Sequence, residues 1–423
     1  MRRGWFCTMV AAVALSTTGC TWSFVGFDPG RTGSGADATI TPQNVKQLQL
    51  AWKTAPLGDP VNDLVVDDNA VFATAGSKLV AYEQGTGVPR WSVDLPQPPI
   101  DLFSNVFGSL GSAGGVVYAG NIEGGPSGST TGGLRGYGSR TGAVVWTGVF
   151  PDSSPLRGPR PSVRAPLVTG GVVVSDWIFS CCMNEQILGV AVYEQNGALR
   201  WASTDGRLTG HPAVAGNTVY ASVDTLDAYD LAGTTNCAAQ PQLPMKVCTP
   251  LWQSSVGGLN TPSVAGSTVF ATGLDGNLYA FAAGGCGQST CAPLWSAPTG
   301  AGIVGGPAVA NGLVYVANSA GRVFAFTAEG CGQSSCPPVW QSARSFGSFS
   351  ASPSIAGGVL FIGSSNKVLY AFAAAGCGAP TCAPRWHYKT NAGVDAPVAV
   401  AYGRVFLGGH DGSVSSFGLP PGS

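Results

Sequence analysis

Short apolar runs separated by turn residues recur along this chain, and in its last third they recur with a fixed period. Ser263 to Trp295, Ala308 to Trp340 and Ser354 to Trp386 are segments of equal length. Each reads apolar strand, turn, [Leu/Val]-[Tyr/Phe]-Ala-Phe, Gly-Cys-Gly, Cys, Pro and Trp. A tandem unit of this size is the mark of a propeller or an array. Three strand signals fall within a unit: a first after a Pro-x-Val-type pattern (Pro212, Pro262, Pro307, Pro353, Pro397), a second such as Thr268 to Ala271, and a third such as Leu278 to Phe281. Alternate residues along each are expected to pack between neighbouring sheets.

Tryptophans placed at the end of a strand mark the units: Trp52, Trp91, Trp146, Trp201, Trp252, Trp295, Trp340 and Trp386. Trp52 precedes any complete unit, and the last unit, Pro397 to Phe417, has no closing tryptophan. The strand at Trp52 is therefore expected to complete the last sheet and hide its edge. The predicted fold is all-β, an eight-bladed β-propeller of four-stranded antiparallel blades closed by an N-terminal strand, spanning 41–419. A signal peptide at 1–19 and an N-terminal linker at 20–40 precede it.

Composition narrows the function. Only 10% of residues are charged, with 62 Gly and 30 Pro, as many short strands and tight turns require. A net charge of −1 without a basic stripe excludes a nucleic-acid partner. Arg2 and Arg3, the apolar run Trp5 to Leu15 and the small residues up to Cys20 read as an export signal, too short to span a bilayer. Thr17-Thr-Gly-Cys20 resembles the lipobox of bacterial lipoproteins, with Thr17 where Leu is usual. Acylation of Cys20 and plain secretion both stand as readings, so any membrane contact is by lipid anchor.

Ten cysteines follow the signal. The pairs Cys286/Cys291, Cys331/Cys336 and Cys377/Cys382 recur at the same place in three repeats, and with Cys237 and Cys248 they read as disulfides of an oxidising compartment. Pairs on separate repeats do not converge as zinc ligands do. The adjacent Cys181 and Cys182 read as a vicinal disulfide, against two separately buried or paired thiols.

Gly-x-Leu-Tyr-Ala-Phe followed by Trp, together with Arg31-Thr-Gly and the run Ile40 to Trp52, resembles the quinoprotein-like (pyrroloquinoline-quinone-type) propeller repeat family over about residues 28 to 419. The resemblance implies the fold. It leaves activity open, since the family includes calcium- and quinone-dependent alcohol dehydrogenases and non-catalytic lipoproteins of outer-membrane barrel assembly. This chain lacks the Gly-Asn-Pro-type calcium loop and the catalytic Asp at matching positions.

In such a blade the turns between second and third strands share a side with the links between blades. Late blades have minimal turns there. Blades two to four differ, with Asn121 to Glu123, a Gly/Ser-rich insertion to Gly133, and a loop from Asp176 and Trp177 through Cys181 and Cys182 to Glu185. Their links add Asp101, Asn105, Arg157, Arg160, Arg164, Arg207 and His211. Binding residues concentrate on loops held by a rigid scaffold. The arginines are candidates for clamping an anion, against solvated loop charges. Glu123 is one carboxylate where calcium needs six to eight oxygens. His211 is a candidate titrating group at the channel mouth, against a structural role, and Trp177 is the main candidate for an exposed stacking ring. The expected function is an exported, non-catalytic binding scaffold for a cell-envelope protein or a small ligand, without a firmly implied cofactor. The alternative is a quinoprotein dehydrogenase using pyrroloquinoline quinone and calcium.

Overall fold

In a computed structural model, each repeat becomes one sheet. Blade five shows the pattern: Ser263–Ala265, Thr268–Thr272, Asn277–Ala282 and Trp295–Pro298 pair in that order, antiparallel, from the central channel to the rim. The structure describes residues 21–23, 26–95, 110–121, 133–149, 162–181, 185–203, 210–240 and 245–422. They form eight blades and one 3₁₀ turn, Val45–Gln47. Facing strands interdigitate as period-two patterning requires: Leu360 and Ile362 of blade seven pack against Tyr315, Ala317 and Trp340 of blade six.

Ring closure follows the sequence reading. Gln49–Lys53 pairs antiparallel with Val414–Gly418, with Leu50 opposite Phe417 and Trp52 opposite Ser416. The tryptophans lie in or open the outer strands rather than end a strand. From there the indole N–H reaches the next blade: Trp52 donates to the Gln84 carbonyl, Trp91 to Ser139, Trp201 to Leu231 and Trp340 to Ala374. A glycine of positive φ lies over most of these rings. A Cβ at Gly285 would stand 2.7 Å from the Trp252 ring, so the repeated Gly-Cys-Gly begins with a residue that must lack a side chain.

Disulfides join Cys237 to Cys248, Cys286 to Cys291, Cys331 to Cys336 and Cys377 to Cys382. Each closes a loop between the third and fourth strands of its blade, and each loop reaches back to the outer edge of the preceding blade. Thr290–Cys291 adds in parallel to Gln253 and Ser254, and Thr381–Cys382 to Gln341 and Ser342. Lys246–Cys248 adds to Ala202, and Ser335 bridges to Ser296.

The stretch expected as a linker is bound to the channel wall. The central N–H of successive inner strands donates to it in chain order: Val66 to the Trp22 carbonyl, Ser112 to Ser23, Val214 to Pro29, Val264 to Gly30, Val309 to Thr32 and Ile355 to Gly33. Those strands belong to blades one, two, four, five, six and seven. Gly35 then returns to the Trp22 ring, where a Cβ would lie 2.9 Å from it. Residues 22, 23 and 26–35 thus form a belt along the inside of the ring. It satisfies inner-edge donors that would otherwise be left unpaired away from water.

Candidate functional site

The belt floors a cavity of about 300 Å³ at the channel mouth. Its walls include residues just before several inner strands, among them His211, Thr261, Ser352 and Pro397, and Asp63 within the inner strand Val61–Asp67. Strand register explains one further group. Four residues after the first residue of the second strand, Ser222 and Thr272 turn a hydroxyl to the inter-blade link, donating to the carbonyls of Asn260 (2.6 Å) and Gly305 (2.8 Å). At the same place other blades carry Thr74, Gly120, Ala317, Gly363 and Gly408; blade three alone carries a carboxylate, Asp176, and it is fully buried.

A compensating cation comes from the belt. Arg31 adopts positive φ, is buried, and donates from Nε to the Pro212 carbonyl. Burial lowers its pKa to about 10, opposed by the fields of Asp176, Asp63 and Asp28, so it stays charged at neutral pH. Asp63 is held by two backbone donors, Leu64 N and Leu110 N, each at 2.7 Å, and so ties blade one to blade two. Its burial raises its pKa to about 7, with the two N–H groups and Arg31 pulling it down. Asp28 fixes the belt's turn by accepting from the Thr32 N–H and hydroxyl. Across the mouth, Asp395 pairs with His410 Nε2 at 2.7 Å and accepts from Ser350 Oγ at 2.9 Å. The serine faces the carboxylate and not the imidazole, so these three lack the nucleophile-to-base contact of acyl-transfer sites.

Of the residues singled out in the sequence, His211 lies in the mouth, its Nδ1 4.0 Å from Asp176 Oδ2 and its backbone N–H on Thr261 Oγ1. The expected loop from Asp176 to Glu185 is instead a long hairpin, Val172–Cys181 paired with Glu185–Glu194. Trp177 is not an exposed ring: it is 4% exposed and donates to the Ser203 carbonyl, because alternation turns it into the core. Arg164 lies opposite Asp176 in strand Ser162–Thr169, and Cys181 opposite Glu185. Cys20, Glu123, Arg157, Arg160, Cys182 and Arg207, with the 1–19 segment, lie outside the described residues. Sequence reasoning missed Arg31, Asp63 and Asp395 as parts of one site. A carboxylate within the apolar run Val61 to Val66 was the available signal for Asp63.

A tricarboxylate quinone needs cations facing it. The described lining offers three carboxylates and one guanidinium already engaged with two of them, and among the described residues no three His, Cys, Asp or Glu side chains group as a metal site. These residues do not fit the quinone-calcium pair.

Comparisons with known proteins bear on the fold and the family. The chain is 29% identical over 144 residues to a 1-butanol dehydrogenase (cytochrome c) of Thauera butanivorans, a match that covers 32% of this chain and about a fifth of that protein's length. BamB from Moraxella catarrhalis superposes with a TM-score of 0.58 at 16% identity, over 88% of this chain and 99% of that one. A quinohemoprotein alcohol dehydrogenase from Comamonas testosteroni gives 0.65 at 15%, over 94% and 80%. These two likenesses concern the fold alone. The family model described as outer membrane protein assembly factor BamB matches residues 39–236 and 249–334. Those stretches are about two thirds of the chain, and the chain therefore belongs to this family of quinoprotein-like propellers.

Proposed function

We propose that the protein is an exported, non-catalytic binding scaffold of the cell envelope, released or tethered through an acylated Cys20. Its binding face is the side of the ring carrying the inter-blade links, over blades two to four. Four disulfides fit an oxidising compartment. The observation that carries the reading is the channel mouth, where the chain's own belt makes the floor and its one described cation, Arg31, is spent on neighbouring carboxylates. Family membership supports a partner in the envelope, with Arg157, Arg160, Arg164 and Arg207 as the anion-facing groups, Glu123, Glu185 and His211 beside them, and Cys181 and Cys182 as a structural vicinal pair.

The dehydrogenase reading draws on the likeness to the 1-butanol dehydrogenase and makes the opposite prediction. Pyrroloquinoline quinone and calcium added to the purified protein are expected to give no chromophore that survives gel filtration and no thermal shift. Saturable retention with alcohol-dependent dye reduction would replace the scaffold by the enzyme. Changing Arg157, Arg160 and Arg164 together to Ala is expected to abolish capture of an envelope partner, with stability moving by no more than about 0.5 kcal/mol. Unchanged capture removes the arginines from the face.

A further inference from the structure

Outer edges in this ring are built to take a fifth strand. On blades four, five and six the residue after the tryptophan turns its N–H outward to a loop of the next blade: Gln253 donates to the Ser289 carbonyl at 2.8 Å, Ser296 to Ser334 at 2.9 Å and Gln341 to Pro380 at 2.9 Å. The added strands run parallel to the edge. On blades seven, eight, one and two no strand is added among the described residues. The matching loops of blades one, two and three are tight turns, closed by Gly87 N to the Glu83 carbonyl, Gly142 N to Gly138 and Gly197 N to Glu194.

Three of these four open edges carry the features that deter pairing. Blade one's outer strand, Pro89–Asp94, has Pro89, Arg90 and Asp94; blade eight's ends in Lys53; blade seven's, Trp386–Lys389, ends in Lys389. Blade two's outer strand, Val144–Val149, reads Val-Val-Trp-Thr-Gly-Val and holds no charge or proline. Val144 and Val145 are 51% and 57% exposed, and Thr147, the residue after the tryptophan, is exposed as well. Gly197 stands against the Thr147 carbonyl, where a Cβ would come within 2.0 Å. The turn of blade three thus bounds the edge at the Thr147 carbonyl.

We propose that Val144–Val149 is a docking edge where an extended, uncharged segment of another polypeptide adds as a fifth strand, parallel to it and bonded through the Thr147 N–H. The occupant is a segment and not a second copy. A parallel strand is what this chain itself places on the equivalent edges, and a second propeller would bring its whole blade against the Glu194–Gly197 turn. Main-chain bonding supplies the affinity in such strand addition and the valines the selectivity for apolar or small side chains.

This edge is on the rim, away from the channel mouth, and stands or falls independently of the reading above. The probe is a fluorescein-labelled peptide copying Gly287 to Ala292 with serine at the Cys291 position, titrated against the full protein by fluorescence anisotropy. Saturable binding below about 1 mM is expected, weakened about tenfold or more by Thr147→Pro, which removes the outward donor, and severalfold by Val145→Lys. Ser92→Pro, the same position on the charged edge of blade one, is expected to leave it unchanged. Absence of saturable binding overturns the proposal, as does equal binding by Thr147→Pro with an unchanged melting temperature. A concentration-dependent dimer dispersed by Val145→Lys overturns it in favour of a second copy.

Discussion

The rim of blades three to six and the rim of the other four blades are made from the same repeat yet end differently. On the first half, disulfide-closed loops carry each blade's outer edge one strand further and bind it to the next. On the second half the matching loops are four- or five-residue turns that add no strand, and the blades meet through their packed faces and contacts such as Leu110 N to Asp63 and the Trp52 and Trp91 rings under Gly87 and Gly142. A ring stays closed only if every blade-to-blade contact holds, so the bridged half is an addition to a joint that already works. Charged edges on blades seven, eight and one are the other way of handling an uncovered strand.

Five variants test this contrast. Trp340→Ala, in the bridged half where the ring is 1% exposed and its indole N–H is bonded, is expected to cost roughly 3–5 kcal/mol. Trp146→Ala in blade two, whose ring is partly exposed, is expected to cost clearly less by urea unfolding; equal losses would erase the distinction between halves. Asp63→Asn tests the unbridged half through pH. Folded Asp63 keeps its proton until about pH 7, whereas the unfolded chain releases it near pH 4. Wild-type stability therefore falls relative to the variant as pH rises through that window, by a few kcal/mol at most, and is restored below it. Parallel melting curves from pH 4 to 8 would show that the carboxylate is not held in that state. Cys331→Ser with Cys336→Ser is expected to cost roughly 2 kcal/mol by loop entropy while leaving partner binding alone. Smallest is Arg140→Ala: the arginine pairs with Asp68 at 2.9 Å with its side chain 80% exposed, and no measurable change in melting temperature is expected, as for most surface pairs.

What could be read from the chain was what repeats. Blade number, closure at Trp52, and the pairing of Cys286, Cys331 and Cys377 with partners five residues on all follow from side-chain period and spacing, which survive in a single sequence. The belt leaves no such trace, because Trp22, Ser23, Pro29, Gly30, Thr32 and Gly33 are bonded through backbone carbonyls, and a carbonyl is the same whatever residue bears it. The channel mouth was half legible. His211 was found from its place before a Pro-Ala-Val strand. Asp63 and Asp395 come from strands and links far apart in sequence and meet only once the ring is shut. Trp177 misled because a strand longer than its neighbours, Val172–Cys181, looks like a loop when judged by the length of the others.

The belt also orders events in time. Residues 22–35 are synthesised before any blade, yet their acceptors serve donors as late as Ile355, and Gly403 N closes on Asp37. This part of the chain must therefore wait, unseated, until blades seven and eight exist. Contacts of such long separation are the slow ones to form. Maturation is thus expected to pass through an open ring with a loose leader, a species open to proteases at residues that end up sealed in the axis.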